Sequence, residues 1–219
     1  VRCIDLAEHS YSEMLVWAHI VSNSTPSQSE TELHVGCDRN IAVTRLAAVP
    51  QPTSTRYQTA YNVTGLHLVT GGTGGLGLLT SQWLVQHGAE CLNLLSRSGA
   101  TGGVLRQQWG LLVMKSTGSL CVELCDTGSD LHTRHAVERG PLAGLVHSAG
   151  VLADALLANQ TQGGLHRVWG PKAHAAWALH QACGKAKLEL FVLFSSIAAL
   201  FGGPGQANYA AANACLDHL

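Results

Sequence analysis

The sequence predicts an α/β fold built on a doubly wound parallel sheet, and three observations lead to this prediction. From Gly65 onward, short apolar runs alternate with helix-like segments, a pattern typical of right-handed β–α–β crossovers. A glycine-rich segment directly follows the first of these runs. The chain has 219 residues, of which 46% are apolar, and this suits one large α/β domain or one domain with part of another.

Five strands are expected, because five apolar runs end in glycine or in polar residues. A helix is predicted over 75–88, directly after the first strand, and Gly88 ends it. A second helix, over 171–184, precedes the fifth strand. The predicted strands cover residues 66–72, 90–99, 118–126, 140–150 and 188–196.

Residues 1–50 show a different pattern and predict the C-terminal part of a separate subdomain. Residues 23–30 are a polar loop, and two strand-like runs within 32–49 flank the sequence CDRN, which predicts a hairpin. The proline-rich stretch 50–55 is interpreted as a linker. Because this segment has too few strands to close a sheet, it is expected to pack as part of a neighbouring subdomain, with a second domain over 51–219.

The glycine-rich segment lies where a strand turns into a helix. Gly72, Gly74 and Gly77 fit the pattern G-x-G-x-x-G, and Gly71, Gly75 and Gly77 fit T-G-x-x-x-G-x-G. Glycine permits a positive φ and lets the backbone approach a pyrophosphate, while the helix N-terminus offers N–H groups to it. This context predicts a Rossmann-type dinucleotide site; the alternative is a turn that only packs helix on sheet. The predicted phosphate loop comprises Gly71, Gly72, Thr73, Gly74, Gly75, Leu76 and Gly77.

The end of the second strand indicates which nucleotide binds. An acidic residue there would hold a ribose 2′-hydroxyl, but the sequence has Ser96, Arg97 and Ser98 instead. A guanidinium and two hydroxyls suit a 2′-phosphate, so NADPH is the predicted cofactor; the alternative is an ordinary solvated arginine. Asp126 ends the third strand, where its carboxylate can accept from an adenine amino group, or where Asp126 or Thr127 can serve as a helix N-cap.

Tyr209 lies in an alanine-rich helix thirteen residues after Ser196. Reduction of a ketone requires a proton donor, and a phenol serves when a cation lowers its pKa from about 10 toward the working pH. Lys172 is a candidate for that cation, and Ser196, at the end of the fifth strand, for the hydroxyl that fixes the carbonyl. Asn213 is one helical turn from Tyr209 on the same face.

Composition and charge favour a cytoplasmic protein and exclude several classes of partner. A net charge of −1 gives no basis for binding nucleic acid or an anionic membrane, and no apolar run reaches the roughly 18 residues of a membrane-spanning helix. Seven scattered cysteines indicate reduced thiols. Cys121, Cys125, His132 and His135 could form a zinc site, but they lack CxxC spacing, so no metal is predicted and both cysteines are expected on one core-facing side of a strand.

An ordered set of motifs gives the sequence a family resemblance. These motifs are TGGTGGLG, LLSRSG, Asp126, VHSAGVLAD (146–154), the PK at Lys172, FVLFSS and GQANYAAANACLD. Over about residues 32–219 the chain resembles the ketoreductase domain of modular polyketide synthases and animal-type fatty acid synthases, a branch of the short-chain dehydrogenase/reductases. Ordinary members carry Tyr-x-x-x-Lys; here Asn213 follows Tyr209 and the lysine precedes it, as in the synthase ketoreductases.

The resemblance implies a role for each matched residue. Tyr209 is the proton donor, Lys172 the cation, Ser196 rather than Ser195 the carbonyl-orienting hydroxyl, and Asn213 the support of the proton relay. The implied reaction is NADPH-dependent reduction of a 3-ketoacyl chain held by phosphopantetheine on an acyl carrier protein, beside other domains of the same synthase. The resemblance also implies that residues 1–50 end a truncated Rossmann-like structural subdomain. Nucleotide contacts are further implied for Ser148, Ala149 and Gly150.

Some features depart from the family or leave alternatives open. The segment between Asp126 and His147 is short, and the family's substrate lid and last strands would follow Leu219, so nucleotide binding is expected to survive in this chain better than turnover. The alternatives are a non-catalytic or epimerase-only domain and a stand-alone short-chain dehydrogenase; Tyr209 and the Lys172–Asn213 exchange argue against them.

Two further positions bear on stereochemistry. In the family, an aspartate at the position of Asp154 accompanies the D-configured alcohol, and a tryptophan eight residues before the tyrosine accompanies the opposite product. Here Asp154 is present, although Ala153 replaces its usual acidic neighbour, and Phe201 replaces the tryptophan. The resemblance therefore implies that Asp154 and Phe201 steer the substrate toward the D-alcohol.

Overall fold

In the computed structural model, the described residues are 3–6, 32–35, 41–42, 65–99, 105–184 and 186–219. The chain divides into two compact units, Val1–Gln58 and Thr59–Leu219. In the first, β1 (Cys3–Leu6) pairs parallel with β2 (Glu32–Val35), which pairs antiparallel with β3 (Ile41–Ala42). This antiparallel pairing confirms the predicted hairpin. The polar loop, the linker and the predicted domain boundary at residue 50 lie outside the described residues.

The second unit contains the predicted parallel sheet. Its five strands all run parallel, in the order β6-β5-β4-β7-β8, so the doubly wound fold is confirmed. Each strand is shorter than expected, since its terminal glycines and polar residues leave the sheet as loops. The strands are β4 (Leu66–Thr70), β5 (Cys91–Ser96), β6 (Ser119–Leu124), β7 (Leu142–His147) and β8 (Leu190–Leu193).

Helices connect these strands and follow the last of them. The helix predicted over 171–184 is the second part of a longer helical segment, because a π-helical turn, Gly170–His174, joins the helix Gln162–Trp169 to the helix Ala175–Cys183. The helices are α1 (Gly75–Gln86), α2 (Arg106–Lys115), α3 (Asp130–Val137), α4 (Gln162–Trp169), α5 (Ala175–Cys183), α6 (Ala198–Phe201) and α7 (Ala207–Asp217). In the described part of the chain, none has the length and hydropathy to cross a bilayer.

The core lies on both faces of the sheet, as alternation along its strands requires. Val69 packs with Leu78 of α1 and Leu112 of α2 on one face. Its neighbour Leu68 packs on the opposite face with Leu179 of α5. The central strand β4 is therefore covered on both sides, and the loops at its carboxyl end are held between two packed layers.

Both edges of the described sheet are partly open. On β6, Cys121 is exposed, so the expectation that it faces the core is wrong; Cys125, beyond the end of the strand, is buried. Burial raises the pKa of the Cys125 thiol to about 11. No group of potential metal ligands occurs among the described residues.

At the other edge, β8 pairs with β7 alone among the described strands. Phe191, in its middle, is 37% exposed. An apolar groove of about 420 Å³ lies between this strand and α1. We call it the edge groove; its lining residues are Leu76, Leu79, Thr80, Trp83, Val146, Leu190, Val192 and Phe194.

Candidate active site

The glycine loop between β4 and α1 combines tight packing with an open side. Gly71 has φ +63°, and a Cβ there would lie 2.8 Å from the Cα of Ala149. A Cβ on Gly77 would collide with the Gly71 carbonyl oxygen, and one on Gly72 would lie 2.6 Å from Leu94 Cβ. Gly72 is buried and packs the loop on β5, whereas the opposite side of the loop faces a cavity.

That cavity has a volume of about 450 Å³ and lies at the carboxyl ends of β4, β5 and β7. Helix α1 begins there after Gly74, and no side chain caps it. The N–H groups of its first turn, from Gly75 on, have no intrahelical acceptor and form an anion site. The lining residues are Gly71, Thr73, Gly74, Gly75, Leu76, Gly77, Leu95, Ser96, Arg97, Ser98, Cys125, Thr127, Ser148, Ala149, Gly150, Val151 and Pro171.

A chain of hydroxyl groups ties the loop to the end of β5. Thr73 Oγ1 donates to Ser96 Oγ over 2.7 Å, and Ser96 Oγ lies 3.2 Å from Ser98 Oγ. Arg97, between these serines, is exposed and borders the cavity. One cation and three hydroxyls thus meet at one end of the cavity, a donor set that suits a phosphate ester.

Asp126 is turned toward its own loop. Its Oδ1 accepts the Gly128 N–H at 3.0 Å, and its neighbours Cys125 and Thr127 line the cavity while Asp126 does not. The N-cap of α3 is Ser129, so the alternative that Asp126 or Thr127 caps this helix is wrong. Asp126 closes a turn with Gly128, so α3 begins only after that turn, beyond both Asp126 and Thr127.

The end of β7 joins the cavity to the predicted catalytic lysine. Ser148 Oγ donates to the Thr70 carbonyl at 2.7 Å, and the Ala149 N–H donates to Thr70 Oγ1 at 3.3 Å. A Cβ on Gly150 would lie 3.3 Å from Lys172 Cδ. Gly150 thus lies directly between the cavity and the lysine side chain, and a larger residue there would press against that side chain.

Lys172 and Tyr209 lie close together, although 37 positions separate them in the sequence. Lys172 is 4% exposed in the π-helical turn, and its Nζ donates to the Phe194 carbonyl at 2.6 Å. The same Nζ lies 5.8 Å from the centroid of the Tyr209 ring. Burial lowers the pKa of Lys172, and the charge of Asp217 partly opposes this shift.

Asn213 and the two serines occupy distinct positions around α7. Asn213 Nδ2 donates to the Tyr209 carbonyl at 2.8 Å, while its buried Oδ1 has no hydrogen-bond partner among the described residues. Ser195 Oγ donates to the Asn213 carbonyl at 3.2 Å. Ser196 Oγ instead accepts the Ala198 N–H at 3.2 Å. Ser195 is thus a tether for α7, whereas the Ser196 hydroxyl keeps its own proton to donate.

The loop after β7 is fastened to the turn before α7. Gln206 Nε2 donates to Asp154 Oδ2 at 3.1 Å, and Asn208 Nδ2 donates to the Ala153 carbonyl at 2.8 Å. Phe201 is 62% exposed. Gln206 and Asn208 were not among the residues predicted from the sequence, although both are polar side chains close to Tyr209 at an otherwise apolar helix start.

Comparison with known proteins agrees with this geometry. A family model described as the KR domain matches residues 65–219. A mycocerosic acid synthase-like polyketide synthase of Mycobacterium tuberculosis is 41% identical over 159 residues, which cover 70% of this chain and 7% of that protein. The chain therefore spans less than a tenth of that relative.

Two solved structures are similar over nearly the whole chain. A-type ketoreductases from a modular polyketide synthase give a TM-score of 0.79 at 32% identity, covering 99% of this chain and 46% of that one. The first-module ketoreductase of phoslactomycin biosynthesis in Streptomyces sp. HK803 gives 0.80 at 28% identity, covering 99% and 49%. With its parallel sheet, its glycine loop and these matches, the chain belongs to the KR family, the ketoreductase domains of polyketide synthases within the short-chain dehydrogenase/reductase superfamily.

Proposed function

We propose that this chain binds NADPH and reduces the 3-keto group of an acyl chain carried on the phosphopantetheine arm of an acyl carrier protein. One observation carries the proposal: a buried lysine ammonium lies 5.8 Å from the Tyr209 ring, beside a cavity that has an uncapped helix N-terminus. Such a pair can deliver a proton next to a bound nucleotide. The reaction would take place in the cytoplasm, on a synthase whose other domains supply and receive the acyl chain.

The residues around the cavity fit a phosphorylated dinucleotide. The first turn of α1 offers N–H donors to a diphosphate, and Gly75 leaves its approach open, since a Cβ there would meet nothing within 4 Å. Arg97 with Ser96 and Ser98 would hold the 2′-phosphate, and Ser148, Ala149 and Gly150 would border the nicotinamide half. Asp126 lies beside the cavity lining rather than in it, and it would contact an adenine at the cavity margin through Oδ2, since Oδ1 is held by Gly128. When bound, NADPH supplies the hydride.

The chain's own residues supply the proton and orient the carbonyl. Ser196 Oγ–H would donate to the ketone oxygen and hold it near Tyr209, whose phenol gives up its proton as that oxygen gains negative charge. The Lys172 ammonium favours loss of that proton by electrostatic attraction to the phenolate. Asn213 Oδ1, which has no partner among the described residues, would accept from a water that returns the proton to Tyr209.

Substrate approach would follow the loop that contains Asp154. The Asp154–Gln206 hydrogen bond fixes this loop against the turn before α7, and exposed Phe201 lies at the end of α6. An arm that enters along one side of this contact would present one face of the ketone to the hydride. The proposed product is the D-configured alcohol.

The full-length protein tests the proposal by reduction of a 3-ketoacyl thioester, measured as loss of reduced nicotinamide absorbance. We expect turnover with NADPH and a loss of roughly 10²–10⁴ in Tyr209→Phe, the range for removal of a general acid. Nucleotide affinity should stay unchanged, because the phenol acts in the transition state. Near-normal turnover of the Phe variant would remove Tyr209 from the mechanism. Tight NADPH binding without any reduction by the wild type would instead favour a non-catalytic or epimerase-only domain.

A further inference from the structure

His147, the last residue of β7, is fully buried and uses both ring nitrogens. Its Nδ1 lies 2.7 Å from Thr70 Oγ1, and its Nε2 lies 3.0 Å from the carbonyl oxygen of Lys172. Thr70 ends β4, immediately before the glycine loop. The imidazole therefore spans from the central strand of the sheet to the backbone of the predicted catalytic lysine.

The direction of these hydrogen bonds follows from the chemistry of the partners. A carbonyl oxygen only accepts, so Nε2 carries the proton toward Lys172. Burial lowers the pKa of His147 to about 4, so the ring is neutral near pH 7 and Nδ1 accepts from the Thr70 hydroxyl. Thr70 Oγ1 in turn accepts the Ala149 N–H at 3.3 Å. The three hydrogen bonds therefore form a chain in which each group donates to the next, from the Ala149 N–H at the cavity wall to the Lys172 carbonyl.

A second set of contacts closes a ring around the lysine. Lys172 Nζ donates to the Phe194 carbonyl at 2.6 Å, and the Phe194 N–H donates to the His147 carbonyl at 3.0 Å. Lys172 is therefore held at its backbone by His147 and at its ammonium by Phe194, which are joined to each other across β7 and β8. The turn that carries Lys172 is π-helical, an uncommon conformation that is frequent at functional sites.

We propose that His147 is a positioning residue for Lys172: its Nε2–H fixes the lysine carbonyl, and through it the distance from the ammonium to the Tyr209 ring. The inference rests on the proposed function of Lys172 and Tyr209 and adds a residue that touches neither substrate nor nucleotide. An aliphatic side chain would fill the same buried site without the cost of desolvating an imidazole. The two directed hydrogen bonds are what the imidazole contributes.

Two substitutions separate positioning from packing. In His147→Asn the side-chain amide stays near Nδ1 and keeps a partner for Thr70, but it falls short of the Lys172 carbonyl. In His147→Gln the terminal amide lies near Nε2 and keeps the donor to Lys172. Both variants are polar and similar in size, so thermal unfolding measured in parallel serves as the control for stability.

In the full-length protein, we expect His147→Asn to lower kcat about 10- to 100-fold, the scale of a displacement of about 1 Å in a catalytic group. The KM for the thioester and the Kd for NADPH should change by less than about twofold, because both binding regions remain intact. His147→Gln should recover kcat to within about fivefold of the wild type. Equal losses in the two variants, or no loss in either, would overturn the inference.

A second measurement needs no turnover and so separates this inference from the proposed function. The chain has four lysines, and carbon NMR of ε-labelled lysine follows the titration of each. We expect the lowered pKa of Lys172 to move toward its ordinary value in His147→Asn and to stay in His147→Gln. Nitrogen NMR of the wild type should show the His147 ring neutral, with its proton on Nε2; a proton on Nδ1, or a Lys172 titration that is unaffected by both substitutions, refutes the positioning role. If the wild type turns over no ketoacyl thioester, the proposed function fails, and these spectra still decide the role of His147.

Discussion

Gly75→Ala tests the phosphate cradle without disturbing the fold around it. Gly75 is the first residue of α1, is exposed and lines the cavity. A Cβ there would meet no atom within 4 Å. Replacing a helical glycine by alanine should therefore stabilise the free protein by up to about 1 kcal/mol, through the lower entropy of the unfolded chain.

The same methyl group should weaken nucleotide binding. It would stand in front of the first-turn N–H groups and displace the diphosphate from one charge-assisted hydrogen bond, worth about 1.5–3 kcal/mol. That loss corresponds to an increase of roughly 10- to 150-fold in the Kd for NADPH. The assay is calorimetric titration with NADPH, together with thermal unfolding of the free chain.

Gly163→Ala is the matched control for this substitution. Gly163 lies in the first turn of α4, and a Cβ there also meets nothing within 4 Å, but it does not line the cavity. The control should show the gain in stability and an unchanged Kd. An unchanged Kd in Gly75→Ala as well would refute the placement of the diphosphate at α1.

Three further outcomes are expected. The wild type should prefer NADPH over NADH by at least about tenfold, or 1.4 kcal/mol, and Arg97→Ala should remove most of this preference; equal affinities of the wild type would contradict the Arg97 assignment. Because His147 has a folded-state pKa of about 4, below its unfolded value of about 6.5, the unfolded chain binds the extra proton, and stability falls as pH drops from 6.5 toward 4. Relative to pH 8, the free energy of unfolding should be about 1.4 kcal/mol lower at pH 5.5, as measured by urea unfolding, and this decrease should be smaller in His147→Asn. Chiral chromatography should show the D-alcohol as the main product; a dominant L-alcohol would show that Asp154 and Phe201 do not steer the substrate as proposed.

The order and type of the sheet elements were predictable, because apolar runs of strand length alternate with glycine and helix signals. Helix α2 was not predicted: it contains Gly110 and buries only Leu112, so its hydrophobic pattern is weak. The start of α3 was not predicted: a cap at Asp126 or Thr127 was one of two alternatives, and whether Asp126 closes a turn or caps a helix depends on a backbone contact two residues away. Cys121 was misplaced because alternation does not tell an edge strand from a central one.

The site was predictable in parts. The glycine loop could be predicted because glycine is physically required there: three of its positions have no space for a Cβ. The proximity of Lys172 and Tyr209 follows from a family resemblance rather than from spacing, because the two residues are 37 positions apart, with α5, β8 and α6 between them. His147 carries no local signal: its partners, Thr70 and Lys172, come together only when β4, β7 and the π-helical turn are assembled.

The open edge at β8 has a consequence for the behaviour of this chain in solution. Among the described strands, β8 pairs with β7 alone, and a strand edge without a second partner is a template for addition of another strand. Here it lies beside the apolar edge groove, where Leu79 is 55% and Trp83 46% exposed. Concentrated samples should therefore self-associate reversibly. The side chain of Phe191 already reaches solvent, so Phe191→Lys would place a charge where two copies of the chain meet at β8. This substitution should raise the solubility of the chain.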